Sequence, residues 1–171
     1  MATNLSVPYE YYQISEGVKF FTEHGKTYTI AFRDASPYFG EEYQILIRDN
    51  LRELLFEAEG GQPHIYDPRV PATIMHVVHL IMSDIDRALF YFCDFADGKE
   101  SARARLFEQW VNNDPIGNMT LIKRIIKTAA VPGYNEAGHF YFGLLCNSKS
   151  ILYPEYLEMF DQFESVYAKD I

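Results

Sequence analysis

The densest run of chemically capable side chains is Cys93-Asp94-Phe95-Ala96-Asp97-Gly98-Lys99-Glu100, followed by Ser101-Ala102-Arg103-Ala104-Arg105-Leu106-Phe107 and Trp110. It lies where an apolar run stops and an amphipathic one starts, the pattern of a strand passing into a helix. Such junctions collect ligands, because backbone N–H groups and the helix dipole point there. Asp94 and Asp97 have the chemistry of an acid, a base or a metal ligand. Their plainer roles are a helix cap at Asp97 and a turn at Asp94. Arg103 falls among Leu106, Phe107 and Trp110 on a wheel of about 100° per residue. It is therefore expected along the apolar stripe, where a buried guanidinium needs a carboxylate such as Asp94 or Glu100. It either ties helix to strand or binds an anion; Arg105 projects to solvent. The candidate ligand-binding set is Asp94, Asp97, Lys99, Arg103 and Trp110.

Other combinations are weaker. His76 and His79 stand at i and i+3, close enough to share a metal. No third ligand follows at a characteristic spacing, so contact with a partner or plain exposure is the better expectation. The chain has no Walker motif, no GxGxxG after a strand, no GxSxG and no HExxH. Cys93 and Cys146 lie in or beside apolar runs without a CxxC spacing. They read as buried free thiols of a reducing compartment. No metal and no cofactor is expected.

The elements that position these residues read in order. Strands are expected over Tyr11 to Ser15, Val18 to Thr22 and Thr27 to Arg33, joined by hairpin turns at Ser15-Glu16-Gly17 and Glu23-His24-Gly25-Lys26. A fourth lies within Arg52 to Glu59. A helix follows over Val70 to Ile85, with Val70, Ile74, Val77, Val78, Ile81 and Ile85 as one stripe. Ala88 to Cys93 is wholly apolar and reads as a central strand. A second helix runs from Gly98 to about Asn112, with Asp97 and Glu100 as a capping box. Thr120 to Thr128 fits strand or helix; its β-branched content favours strand. It leads through a loop, Pro132-Gly133 to Gly138, into a strand over His139 to Cys146. A last helix begins near Pro154 and buries Tyr156, Phe160, Phe163 and Tyr167. The fold class is α+β: one sheet of mostly antiparallel strands with about three helices on it, in the order β-β-β-β-α-β-α-β-β-α.

Bulk properties agree with one such domain across 1–171. The 171 residues are 48% hydrophobic, 23% charged and 16% aromatic. A chain of this size buries roughly 70% of its unfolded surface, enough for a core. The net charge of −9 repels a phosphate backbone, so nucleic acid is not an expected partner. The basic-enriched stretch is Lys99, Arg103, Arg105, Lys123, Arg124 and Lys127; the C-terminal stretch is acidic. MATNLSVPYEYY lacks a signal-peptide pattern, and no apolar run is long enough for a membrane span. A cytoplasmic location without membrane contact is expected.

Two resemblances follow from particular segments. The run CDFADGKESARARLFEQW, with KFFTEHGKTYTIAF, DPRVPATIMHVV and HFYFGLLCNSKS around it, resembles an uncharacterised family of small bacterial proteins. That likeness implies a fold and a bacterial origin, and no chemistry. From the fourth strand onward, the order strand, helix, strand, helix, β-hairpin resembles the C-terminal part of the GNAT acyltransferase fold. Asp97, Ala102, Leu106-Phe107 and Trp110 are loosely similar to the opening of its second helix. That family binds the coenzyme A pyrophosphate with Arg or Gln, two spacers, Gly, one spacer, then Gly or Ala. Arg69-Val70-Pro71-Ala72-Thr73-Ile74 stands nearest and has no glycine, so the resemblance implies a GNAT-like topology without its cofactor site. The expected function is a non-catalytic binding or regulatory module, its partner another protein or a small anionic ligand. The alternative is a divergent GNAT-type acyltransferase using acyl-coenzyme A.

Overall fold

The computed structural model of the chain describes residues 6–61, 65–93, 99–114, 116–127 and 139–167. Strands β1 (Tyr11–Ile14), β2 (Gly17–Phe21) and β3 (Lys26–Asp34) open it as an antiparallel meander. Two 3₁₀ turns, Ser36–Tyr38 and Glu41–Tyr43, lead to a short helix α1 (Gln44–Asn50). Then come β4 (Leu51–Gly60), α2 (Arg69–Ile81), β5 (Ala88–Cys93), α3 (Glu100–Asn112), β6 (Thr120–Lys127), β7 (His139–Cys146) and α4 (Tyr153–Tyr167). One mixed sheet of 7 strands results, in the order β1-β2-β3-β4-β5-β7-β6. Among the described residues, only β4 and β5 pair in parallel.

The apolar run of β5 is explained by its place. It lies inside the sheet with both faces covered. Leu89 and Tyr91 join the cluster on the α2 and α3 side, with Phe20, Ile30, Ile74 and Phe107. Ala88 and Phe90 join the cluster on the α1 and α4 side, with Ile47, Leu144 and Phe160. The edge strand β1, by contrast, is mostly exposed. Tyr91 crosses its neighbour β7 at Gly143, where a Cβ would stand 2.0 Å from the Tyr91 ring. Only glycine permits that approach. Burial pushes the Tyr91 hydroxyl above its usual pKa and the Cys146 thiol up to about 12. Cys93 is half-buried, and no disulfide occurs among the described residues.

Several expectations are corrected. The segment between β3 and β4 holds α1, a fourth helix where about three were expected. Its first residue ties it to the chain before it, and Arg52 of the next strand bonds to its C-terminal end. Gln44 Nε2 bonds to the carbonyls of Phe39 and Gly40, and Arg52 Nη1 to those of Arg48 and Leu51. The helix α2 stops at Ile81 rather than Ile85. Asp84 makes a turn there, accepting from the N–H of Asp86 at 3.0 Å, and Ile85 is exposed. The helix α3 opens at Glu100 with Lys99 in the cap position and no side-chain cap. The expected cap Asp97 lies outside the described residues, as do Asp94, the loop from Pro132 to Gly138 and the side chain of Tyr167. The segment that fitted strand or helix is strand β6.

Candidate functional site

Arg103 is exposed rather than buried. The buried face of α3 is Ala104, Phe107 and Val111, and Arg103 stands one helical step, about 100°, from Ala104. It lies on the flank of the helix with Lys99, Leu106 and Trp110, since 99, 103, 106 and 110 recur at i, i+4, i+7 and i+11. Lys99 is exposed and Trp110 half-buried. Of the five candidate residues, Trp110 alone lines a described cavity.

That cavity, about 160 Å³, opens between the β2–β3 turn and the helices α2 and α3. Val70, Pro71, Leu106 and Trp110 form its apolar part, and the exposed Ile65 and Tyr66 flank its mouth. Trp110 is held edge-on to Phe56 and Phe107. The opposite wall comes from the turn, with Thr22, His24, Lys26 and Tyr28. Gly25 makes this turn possible with φ 76. Within it, the Thr22 N–H donates to the Lys26 carbonyl at 2.8 Å.

The polar atoms of the cavity are mostly committed to the fold. Thr22 Oγ1 accepts from the Lys26 N–H at 3.0 Å. Asp67 Oδ2 accepts from the Tyr9 hydroxyl at 2.7 Å, and Asp67 Oδ1 from the Arg69 N–H at 3.0 Å. Burial, and then the charge of Asp67, raise the pKa of Tyr28. Lys26 and His24 remain: neither makes an ion pair among the described residues.

The start of α2 is closed to phosphate. The Val70 N–H donates to the Asp67 carbonyl at 3.1 Å, the Arg69 N–H is held by Asp67, and Pro71 has no N–H. The Arg69 guanidinium lies 3.8 Å over the Tyr9 ring, with Nη1 2.6 Å from Glu23 Oε1 and Nε donating to the Val7 carbonyl at 3.0 Å. The strands β4 and β5 pair only at Leu51–Ala88, Arg52–Leu89 and Glu53–Phe90, and part beyond. Phe107 of α3 packs against side chains of both strands, 5.6 Å from the Phe56 ring of β4 and 4.7 Å from the Tyr91 ring of β5.

The histidine pair of α2 separates. His76 is exposed beside Tyr11, 5.9 Å between ring centres. His79 is not exposed as expected: its Nε2 is 2.7 Å from Oδ1 of the buried Asp114, which joins α2 to the segment after α3. No cluster of metal-ligating side chains occurs among the described residues. No described helix is long and apolar enough to cross a membrane.

Sequence reasoning named Trp110 and missed Lys26, Tyr66 and Leu106 as cavity residues. They come from three stretches, 22–28, 65–71 and 106–110, that no local spacing connects. No curated protein and no solved structure matches the chain, so the likeness to the GNAT fold rests on element order alone. A family of unknown function (DUF6169) matches over residues 66–161, more than half of the 171 residues. The chain belongs to that family.

Proposed function

We propose that the chain is a non-catalytic binding module whose cavity between the β2–β3 turn and α3 anchors one ring-sized apolar side chain of a partner protein. The observation that carries this reading is the division of the cavity's groups. Its carboxylate and its helix N–H donors are engaged in holding the fold, while its apolar part stays open at the half-buried Trp110. A volume of about 160 Å³ suits a single ring; an engineered cavity of about 150 Å³ holds benzene, and whole drug-sized ligands need about 300 Å³ or more. The exposed Ile65, Tyr66 and Leu106 extend the apolar surface beyond the mouth, as a protein partner requires. Lys26 and His24 on the rim favour a carboxylate beside the ring.

Trp110 is the chain's single tryptophan and reports on the cavity directly. N-acetylphenylalanine should change its emission saturably, with the millimolar affinity expected of one ring. N-acetylphenylalaninamide should bind more weakly, and Leu106→Asp should abolish both responses. A response without saturation, or one that survives Leu106→Asp, contradicts the proposal.

A second reading, a divergent acyltransferase, is favoured by one observation, the parting of β4 and β5 after three paired positions. Against it stand Phe107 packed on the rings of both strands, Arg69 engaged with Tyr9 and Glu23, and the closed start of α2. Isothermal titration with acetyl-coenzyme A distinguishes the two. Binding in the low micromolar range favours the acyltransferase; no measurable heat favours the binding module.

A further inference from the structure

The sheet is covered unevenly on its α1 and α4 side. Alternation along β1 to β4 turns Tyr12, Ile14, Lys19, Phe21, Thr27, Thr29, Ala31, Leu55, Glu57 and Glu59 to that side, since their neighbours Tyr11, Val18, Phe20, Tyr28, Ile30, Leu54 and Phe56 belong to the opposite cluster. Among the described residues no helix lies over this half. Tyr12 is 61% exposed, Phe21 55% and Ile14 41%, and the Tyr12 and Phe21 rings touch at 6.0 Å between centres. An apolar patch of this kind on a sheet face marks an interaction surface.

The register gives the patch a self-complementary layout. One row across the strands reads Tyr12, Lys19, Thr29, Glu57; the next reads Ile14, Gly17, Ala31, Leu55. Lys19 and Glu57 flank β3 on opposite sides, about 10 Å apart at two strand spacings. Neither makes an ion pair among the described residues. Gly17 and Leu55 flank β3 in the same way, an absent side chain against a large one.

We infer that this face is the interface of a homodimer, two copies packing face to face about a twofold axis parallel to β3. The axis sets β2 against β4 of the other copy. Lys19 then meets the partner's Glu57, Leu55 fills the space over the partner's Gly17, and Thr29 meets its own counterpart at the centre. Sheets packed about 10 Å apart and nearly aligned bring these side chains within reach. Arg33, at the end of the axis, carries its own counter-charge, Glu16 at 3.4 Å. The patch measures roughly 15 Å by 20 Å from strand spacing and rise. Two copies bury on the order of 700 Å², less than most stable complexes, so the dimer is weak and reversible.

Sedimentation equilibrium of the full chain at low salt, up to millimolar concentration, tests this. The wild type should show a concentration-dependent dimer. Lys19→Glu and Glu57→Lys should each weaken it about a hundredfold, because every pair occurs twice by symmetry. The double variant Lys19→Glu/Glu57→Lys should restore it to within a few-fold of wild type. The rescue separates a lost contact from a damaged fold. A wild type that stays monomeric at millimolar concentration overturns the inference, as do single variants that dimerise like wild type or a double variant that does not recover.

Discussion

Two aromatic clusters lie on opposite faces of one sheet, and they end differently. Around Phe90, the rings of Tyr38, Phe39, Phe142 and Phe163 stand 5.2 to 6.1 Å away, and Phe90 itself has no exposure. This cluster is closed by α4, whose Tyr156, Met159 and Phe160 are fully buried. Around Phe107, the rings of Phe56 and Tyr91 make an equally close group. It does not close: it runs outward through Trp110 to the cavity and to the exposed Leu106 and Tyr66. Aromatic content alone therefore does not separate folding from recognition. What separates them is whether a further element covers the last ring.

The comparison breaks most sharply at Phe90. Phe90→Ala should destabilise the fold by about 4 kcal/mol, from lost transfer energy and the hole left behind, read as a lower midpoint in urea unfolding. An unchanged midpoint would mean that the closed cluster contributes little. Arg69→Ala should cost less, about 1 to 2 kcal/mol, since it removes a cation over a ring and a partly exposed ion pair. It should also raise amide exchange around residues 7–9, which Arg69 ties to α2; unaltered exchange there would contradict the role given to it. Arg103→Ala should cost less than about 1 kcal/mol, because the side chain is exposed and contacts of exposed charges contribute little. A large drop in melting temperature would reinstate a buried role.

Much of the fold was legible because local pattern and tertiary environment agree. Ala88 to Cys93 is apolar throughout because both its faces are covered. Tyr28, Ile30 and Phe32 alternate with Thr27, Thr29 and Ala31 because the first three pack into the cluster under the helices and the others do not. The helix α1 was not legible, since its 7 residues are too few for a periodic stripe and its C-terminal carbonyls are bonded by Arg52 of the following strand. Arg103 was misplaced because a wheel fixes only angle. Whether an angle is buried depends on where the sheet meets the helix, and the contact centres on Ala104 and Phe107. No local spacing assigns His79 its partner, because Asp114 lies 35 residues away. The cavity was legible at Trp110 alone, for its other walls arrive from distant strands. At Arg69 the missing glycines argue against a phosphate site, and the fold engages the guanidinium with Tyr9, Val7 and Glu23 instead.

The central claim is that the open end of the Phe107 cluster is a binding site for a ring, and that the neighbouring start of α2 is not a phosphate site. The indole N–H of Trp110 gives one resolved signal in a proton–nitrogen correlation spectrum, since the chain has a single tryptophan. Titrating N-acetylphenylalanine and acetyl-coenzyme A separately into labelled protein tests both halves at once. The account predicts a saturable shift of that signal and of the Lys26 and Tyr66 amides with N-acetylphenylalanine, and none with acetyl-coenzyme A. A shift with acetyl-coenzyme A centred on the amides of Arg69, Val70 and Ala72, with Trp110 silent to the ring, would contradict it.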